Sequence, residues 1–147
     1  LRFANVYGPR QDPAGQVGVV SIFCAQALAG QPSVIYGDGS QTRDFVYVSD
    51  AVNAYLAASD RGRPGTWNIG SGVEVRILEL ARVVGEVVGR QVEPVFAPAR
   101  RGELSRSALA SARARRDLGW APTVSLADGI GRVCRWIEAG APEDAGW

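Results

Sequence analysis

Apolar positions recur at helical spacing in four stretches of the chain, and this pattern predicts most of its helices. Within residues 77–88 the apolar side chains stand at i, i+3, i+4, i+7 and i+11, which gives a helix one apolar face. Gly89 follows directly and is a typical helix end. The same reasoning predicts helices over residues 20–28, 50–59 and 126–137, and a short one over 111–118.

Capping residues define two of these helix starts more closely. Ser49 offers an N-cap, and Asp50 places an acid at the positive end of the helix dipole. Ser125, with Asp128 three residues later, resembles a capping box. The helix over 77–88 has no comparable residue before it, so its start is predicted from its apolar face alone.

Short apolar runs between glycine, proline and aspartate predict the strands. Residues 1–7 are typical of the end of a buried strand that stops at Gly8 and Pro9, and residues 11–18 are typical of a loop. Residues 37–43 contain an Asp-Gly turn signal between two strand-like runs, which predicts a hairpin or a split strand-loop-strand. The strand-like runs are 33–36, 44–48, 66–69 and 92–96. This mixture indicates a small α/β lobe rather than a complete doubly wound sheet.

Composition places the chain among globular proteins of one-domain size. Its 147 residues are 46% hydrophobic, with no long apolar run and no signal-peptide pattern at the start, so a cytoplasmic protein without a membrane partner is the default. The net charge of +1 gives no nucleic-acid footprint. Cys24 and Cys134 lie far apart in apolar patterns, which favours buried free thiols over a disulfide.

Missing residue types exclude several kinds of chemistry. The chain contains no histidine, no lysine and no methionine, and all sixteen basic residues are arginine. A zinc site is therefore not expected, and the chain cannot supply a Schiff-base lysine, a phosphate-loop lysine or a tyrosine-lysine pair. Arginine instead provides a planar fork with a permanent charge, which suits bidentate contacts to phosphate.

Three places could carry binding chemistry. Arg43 follows a glycine-rich turn and could clamp a diphosphate, although a solvated arginine on a turn would give the same pattern. Arg100 and Glu103 flank Arg101 and Gly102, and such a cluster could hold phosphate and ribose hydroxyls or could be an ordinary charged loop. Asn5 ends an apolar strand and needs a partner, which could be a ligand or the main chain.

Other conspicuous residues favour structural roles. The arginines of residues 113–116 alternate with alanine, as on a solvated helix face. Residues 70–72 (GSG) lack the third glycine and the later acid of a dinucleotide-binding loop. Trp67, Trp120 and Trp136 are expected to pack in or between the cores.

Taken in order along the chain, five segments resemble the extended short-chain dehydrogenase/reductase family, in particular its NAD-dependent epimerase/dehydratase members of the UDP-glucose 4-epimerase kind. The first two segments together are highly specific, and the five cover nearly the whole chain. They are residues 2–11 (RFANVYGPRQ), 34–50 (VIYGDGSQTRDFVYVSD), 67–72 (WNIGSG), 100–103 (RRGE) and 118–122 (LGWAP).

The resemblance implies a role for ten positions. Phe3 and Ala4 would lie near the nicotinamide ring of NAD, and Asn5 would touch the sugar-diphosphate. Val19 and Val20 would contact the nucleotide through backbone groups. The remaining positions divide between the uracil (Val34 and Tyr36), the diphosphate (Arg43 and Arg100) and the uridine ribose (Glu103).

The resemblance also implies how the chain is organised. Its fold class would be α/β: a C-terminal substrate-binding lobe together with the last strand region of a Rossmann-type domain. Residues 1–18 would end the NAD-binding domain, 19–139 would form the nucleotide-sugar-binding lobe, and 140–147 would be a frayed tail. The dinucleotide loop and the tyrosine-lysine pair would belong upstream of Leu1, so we expect the chain to be inactive by itself and to expose apolar surface.

The activity implied is transient oxidation of a UDP-sugar at C4 by bound NAD, in a homodimer that pairs through the N-terminal half. A 4,6-dehydratase or a decarboxylase of the same family is the alternative. Dehydratases of this family often carry tryptophan where Phe45 stands, which favours the epimerase. A free-standing nucleotide-binding module without catalysis is the alternative from a different class.

Overall fold

The computed structural model describes residues 1–12, 18–62 and 64–140. These residues form five helices and eight short strands, which confirms the predicted α/β class. The predicted loop over 11–18 and the predicted tail lie largely outside them. The elements in chain order are β1 (Arg2–Phe3), β2 (Asn5–Tyr7), α1 (Val19–Leu28), β3 (Val34–Tyr36), β4 (Thr42–Arg43), β5 (Phe45–Tyr47), α2 (Val48–Asp60), β6 (Asn68–Ile69), β7 (Val75–Arg76), α3 (Ile77–Val88), β8 (Val95–Ala97), α4 (Ala112–Leu118) and α5 (Leu126–Glu138).

The strands pair across long stretches of sequence. Parallel pairs join β1 to β6, β2 to β5 and β3 to β8, and β4 pairs antiparallel with β7. Of the two arrangements predicted for residues 33–48, the hairpin is therefore wrong, whereas the split strand-loop-strand agrees with the structure. All three residues of β5 are buried, and it finds its partner in the early strand β2 instead of turning back onto β3.

The larger core lies where α1, α3 and α5 pack together. Its fully buried side chains include Phe23, Leu80 and Ile130, one from each helix, and the two free cysteines are buried in the same cluster. The spacing that predicted α3 and α5 thus reports a real apolar face. Gly129 of α5 makes a close approach possible, because a Cβ there would collide with the hydroxyl of Tyr7.

A second core gathers around two tryptophans. Trp67 and Trp120 are buried with Ile69, and Leu1 and Phe3 pack against them, which confirms the predicted core role of these two tryptophans. Residues 1–7 contribute to both cores, because Tyr7 belongs to the larger one. The domain boundary expected at residue 18 does not coincide with the division between the cores.

Of the two helix caps predicted from the sequence, the structure confirms one and contradicts the other. At α5 the Ser125 Oγ accepts from the Asp128 amide at 3.1 Å and donates to its Oδ2 at 2.7 Å, as the capping-box pattern predicted. At α2 the predicted Ser49 cap is wrong, because the helix begins at Val48 and Tyr47 in the cap position makes no side-chain cap hydrogen bond. Asp50 is fully buried and serves as an acceptor for residues 123–124.

One side of α2 exposes apolar side chains. Val52 is 51% exposed, Tyr55 61% and Leu56 59%, and Val6 and Val48 are also exposed. These side chains leave apolar area on the surface of the described residues. No helix among the described residues has both the length and the apolar character to cross a bilayer.

Candidate functional site

A cavity of about 680 Å³ lies between the first turns of α1, the end of β3, β4 and the segment that follows β8. We refer to it as the arginine cavity. Seven of the eight positions expected to bind substrate line it, although they come from five separate parts of the chain. They are Asn5, Val19, Val34, Tyr36, Arg43, Arg100 and Glu103.

Strand pairing explains how distant residues meet at this cavity. In the parallel pair β3–β8, Tyr36 stands opposite Ala97, and the Gly37 amide donates to the Ala97 carbonyl at 2.9 Å. The segments that follow β3 and β8 therefore leave the sheet at the same end, where parallel strands commonly place binding groups. Gly37 has φ +76°, so the turn that begins there suits a residue without a side chain.

Arg43 is fixed on the floor of the cavity by three partners. Its Nη1 donates to the carbonyl oxygens of Thr42 at 2.8 Å and Leu104 at 2.7 Å, and its Nη2 lies 3.1 Å from Glu103 Oε1. The Arg43 and Glu103 side chains are only 16% and 28% exposed. Sequence reasoning assigned these two residues to different parts of a ligand and did not anticipate that they contact each other.

Arg100 is held at the rim of the cavity in a different way. Its guanidinium carbon lies 3.9 Å from the centroid of the Tyr36 ring, which is the distance of a stacked cation-π contact. Within the described part of the chain, no carboxylate forms an ion pair with Arg100 and no acceptor takes a hydrogen bond from its guanidinium. Its donor groups are therefore available to a ligand.

Asp44 is a structural centre beneath the cavity that sequence reasoning missed. It is 1% exposed, and its carboxylate accepts from the amides of Ser71 at 2.8 Å, Gly72 at 3.0 Å and Leu109 at 3.1 Å, and from the Ser71 hydroxyl at 2.6 Å. Residues 70–72 thus form a carboxylate-binding turn. The available signal was a charged residue at the start of the apolar run 44–48.

Glu74 connects Arg106, in the segment after β8, to Thr42 of β4. It accepts two hydrogen bonds from Arg106, at 2.6 and 3.0 Å, and one from the Thr42 hydroxyl at 2.7 Å. These hydrogen bonds, with those from Arg106 the stronger influence, lower the pKa of Glu74 to about 2. Together with Asp44 and Arg43, this contact fixes residues 103–109, which otherwise have no regular secondary structure.

The remaining predicted residues lie outside the cavity lining. Val20 is 1% exposed and its side chain belongs to the larger core, so only its backbone could reach a ligand. Phe3 and Ala4 are half-buried at the end of β1, where the Phe3 ring packs 5.1 Å from that of Tyr55. The predicted solvated face of α4 is exposed, and its Arg113 forms an ion pair with Asp117.

Gln26 lines the arginine cavity and was not selected from the sequence. Its side-chain oxygen is buried and has no hydrogen-bond partner within the described residues. A buried amide without a partner is costly, and a polar ligand group could satisfy it. In the sequence Gln26 is one polar residue within a helix, so nothing there distinguishes it from a solvated position.

The lining of the cavity suits an anion joined to a flat, partly polar group. Two guanidinium groups provide charge, Val19 and Val34 provide apolar walls, and Asn5 and Gln26 provide amides. Because arginine donates in a planar fork, two arginines can share a diphosphate. This set of side chains therefore suits the binding of such a ligand.

Comparison with known proteins identifies the class of the chain. The pattern of the NAD dependent epimerase/dehydratase family matches residues 1–70. UDP-glucose 4-epimerase of Mycolicibacterium smegmatis is 50% identical over 91% of the chain, which spans 43% of that relative. UDP-glucuronic acid decarboxylase 1 of Arabidopsis thaliana is 37% identical over 90% of the chain, which spans 30% of it.

Solved structures agree with this assignment. The UDP-glucose 4-epimerase of Thermotoga maritima, determined with UDP-glucose, superimposes with a TM-score of 0.91 at 41% identity, over 95% of the chain and 45% of that structure. The chain belongs to the NAD-dependent epimerase/dehydratase family, and the cofactor of the family is NAD. It spans less than half the length of the relatives it matches.

Proposed function

We propose that this chain is the nucleotide-sugar-binding portion of an NAD-dependent UDP-sugar 4-epimerase. The observation that carries the proposal is the arginine cavity, which collects charged and apolar groups from five parts of the chain around one space. The similarity to UDP-glucose 4-epimerases at 41–50% identity supports the choice of substrate class. Catalysis belongs to the full-length protein, which we expect to form a homodimer through its N-terminal half.

Within this proposal the cavity residues divide the substrate between them. Arg43 and Arg100 bind the two phosphates, and Asn5 lies toward the sugar. Val34 and Tyr36 flank the uracil, and the backbone at Val19 and Val20 contacts the nucleotide where α1 begins. Glu103 has one oxygen on Arg43, so its other oxygen can accept from the ribose hydroxyls.

The carboxyl end of the parallel pair β1–β6 fits one side of an NAD site. α/β sheets bind dinucleotides at this end, and here it presents Phe3 and Ala4, both half-buried and apolar. Bound NAD would accept a hydride from C4 of the sugar and return it to the opposite face. The chain itself has no lysine for a tyrosine-lysine pair, so its own residues bind and orient the substrate and we propose that it is inactive alone.

Turnover of UDP-glucose by the full-length protein tests the proposal. We expect formation of UDP-galactose in the presence of NAD, with no net consumption of the cofactor. A 6-deoxy-4-keto sugar as the product would instead identify a dehydratase. Absence of any turnover, together with absence of UDP binding, would overturn the proposal.

A decarboxylase of UDP-glucuronic acid is the second candidate. Its support is the identity of 37% with UDP-glucuronic acid decarboxylase 1 over 90% of the chain. Because none of the cavity residues is assigned to C6 of the sugar, and all except Asn5 are assigned to the nucleotide, they do not separate the two activities. Release of CO₂ from UDP-glucuronic acid, without epimerisation of UDP-glucose, would favour this candidate.

The isolated chain distinguishes both enzymes from a free-standing binding module. We expect weak UDP binding and binding of a hydrophobic dye by the chain alone, because the apolar side of α2 is exposed. Saturable UDP binding by a folded monomer in titration calorimetry would favour the module instead.

A further inference from the structure

The contact between Arg100 and Tyr36 is shorter than the other arginine-aromatic contacts among the described residues. The guanidinium carbon is 3.9 Å from the ring centroid, whereas the other three arginine-aromatic contacts among the described residues span 5.2–5.7 Å. At 3.9 Å the cation lies directly on a ring face. That face is therefore not free for a second flat group unless Arg100 leaves it.

Both residues are supported by the backbone of the β3–β8 pair. Tyr36 is the last residue of β3 and stands in register with Ala97, the last residue of β8. The segments that follow the two strands therefore leave the sheet side by side. Arg100 follows three residues later. A Cβ on Gly37 would lie 3.6 Å from that of Ala99, so the two exit turns pack against each other. The ring and the guanidinium thus start from neighbouring, fixed positions.

The stacked contact leaves the hydrogen-bonding edge of Arg100 unused. A guanidinium donates in its own plane and stacks through its faces, so an aromatic partner constrains its orientation without consuming any N–H group. A carboxylate partner, such as Glu103 provides for Arg43, occupies donors and neutralises charge. Long arginine side chains otherwise lose substantial conformational freedom when they bind a ligand.

We propose that Tyr36 is a positioning residue for Arg100: its ring holds the guanidinium over the cavity with the donors free for a phosphate of the nucleotide. This inference rests on the proposed function and refines it. The resemblance to known enzymes assigns Tyr36 to the uracil alone, whereas the geometry gives its ring face to the phosphate-binding cation. The contribution of Tyr36 to affinity then depends on the phosphates of the ligand and on Arg100.

The test measures affinities of the full-length protein for uridine, UMP and UDP in wild type, Tyr36→Phe, Tyr36→Leu, Arg100→Gln and the Tyr36→Leu/Arg100→Gln double variant. An exposed cation-π contact contributes about two- to fivefold in affinity. We expect Tyr36→Leu to weaken UDP binding by about that factor more than it weakens uridine binding, because loss of the uracil contact affects both ligands equally. Tyr36→Phe retains the ring and should therefore retain the wild-type ratio of UDP affinity to uridine affinity.

The double variant provides the coupling readout. Once Arg100 is glutamine, the change Tyr36→Leu should weaken UDP binding no more than it weakens uridine binding, because the cation that it positions is gone. Arg101→Gln, next to Arg100 but outside the cavity lining, is the matched control and should leave UDP affinity within twofold of wild type.

Two results would overturn the inference. Equal losses for uridine and UDP in Tyr36→Leu would mean that the ring serves the base. An undiminished effect of Tyr36→Leu in the Arg100→Gln background would mean that the two residues act independently. Failure of the wild-type protein to bind UDP at all would instead reject the proposed function, so the two failures are distinguishable.

Discussion

The floor and the rim of the arginine cavity hold their arginines in opposite ways. On the floor, Arg43 donates to two backbone carbonyls and to Glu103, directly before the buried Asp44 with its four hydrogen bonds. On the rim, Arg100 is exposed and rests on the Tyr36 ring. We therefore expect Arg43 to support both the structure and the ligand, and Arg100 to support the ligand alone.

This difference predicts how the two regions respond to mutation. Changes on the floor should reduce both stability and binding, since buried hydrogen-bonded groups are costly to leave unpaired. Changes at the rim should reduce binding only, since exposed side chains contribute little to the free energy of unfolding. The following variants test this separation in the full-length protein.

Replacement of the buried carboxylate should have the largest effect. Asp44→Asn sets an amide group against the N–H donors of Gly72 or Ser71, and we expect a loss of about 3 kcal/mol in the free energy of unfolding. Urea-induced unfolding measures it. The control is Asp38→Asn, an exposed carboxylate that accepts from Ser40 of its own turn, with an expected change below about 0.5 kcal/mol. Equal effects of the two variants would mean that the Asp44 network does not support the floor.

Arg43→Gln should lower both the stability of the fold and the affinity for UDP. The variant loses the charge-assisted contacts to Glu103, Thr42 and Leu104, so we expect a destabilisation of about 1–2 kcal/mol. UDP affinity should fall by about 10- to 100-fold, because a phosphate-binding cation is removed. Calorimetry and urea unfolding measure the two effects. A loss of affinity with unchanged stability would show that Arg43 is not a structural tie.

Arg100→Gln should lower the affinity for UDP without lowering the stability of the fold. We expect UDP affinity to fall by about tenfold, as for the loss of one charge-assisted contact, with the free energy of unfolding within about 0.5 kcal/mol of wild type. The comparison of floor and rim fails if this variant is as destabilising as Arg43→Gln.

The smallest expected effect is a pH dependence of the stability that Glu74 contributes. Its pKa is lowered to about 2 in the folded protein, below the ordinary value of 4.5, by hydrogen bonds from Arg106 and Thr42. Since the folded pKa is depressed, the contribution of Glu74 to stability is present above pH 4.5 and is lost as pH falls toward 2. The stability difference between wild type and Glu74→Gln should therefore shrink over that range. A difference independent of pH would contradict this assignment.

Local sequence signals predicted the helices well and the strand pairing poorly. The apolar spacing before Gly89 and the Ser125–Asp128 capping box depend on residues within one or two turns, and both are confirmed. Of the hairpin and the split strand-loop-strand considered around residues 37–43, the hairpin is wrong, because the partners of β3 and β5 are β8 and β2, tens of residues away. No local pattern encodes such pairings.

In the candidate site, too, the sequence predicted individual residues but not the contacts between distant ones. Motif order led to the residues that line the cavity, yet the contact between Arg43 and Glu103 joins positions 60 residues apart and became visible only in the fold. Asp44 appeared to be one more residue of a strand, and its role depends on amides from two distant turns. Gln26 gave no signal, because an unpaired amide is recognised only by its surroundings.

A crystal structure of the full-length protein with UDP tests the central claim most directly. We predict that the diphosphate lies in the arginine cavity with its oxygens about 3 Å from guanidinium nitrogens of both Arg43 and Arg100, and with the ribose beside Glu103. UDP bound elsewhere, with these two guanidinium groups in the contacts described here and no phosphate near either, would contradict the account.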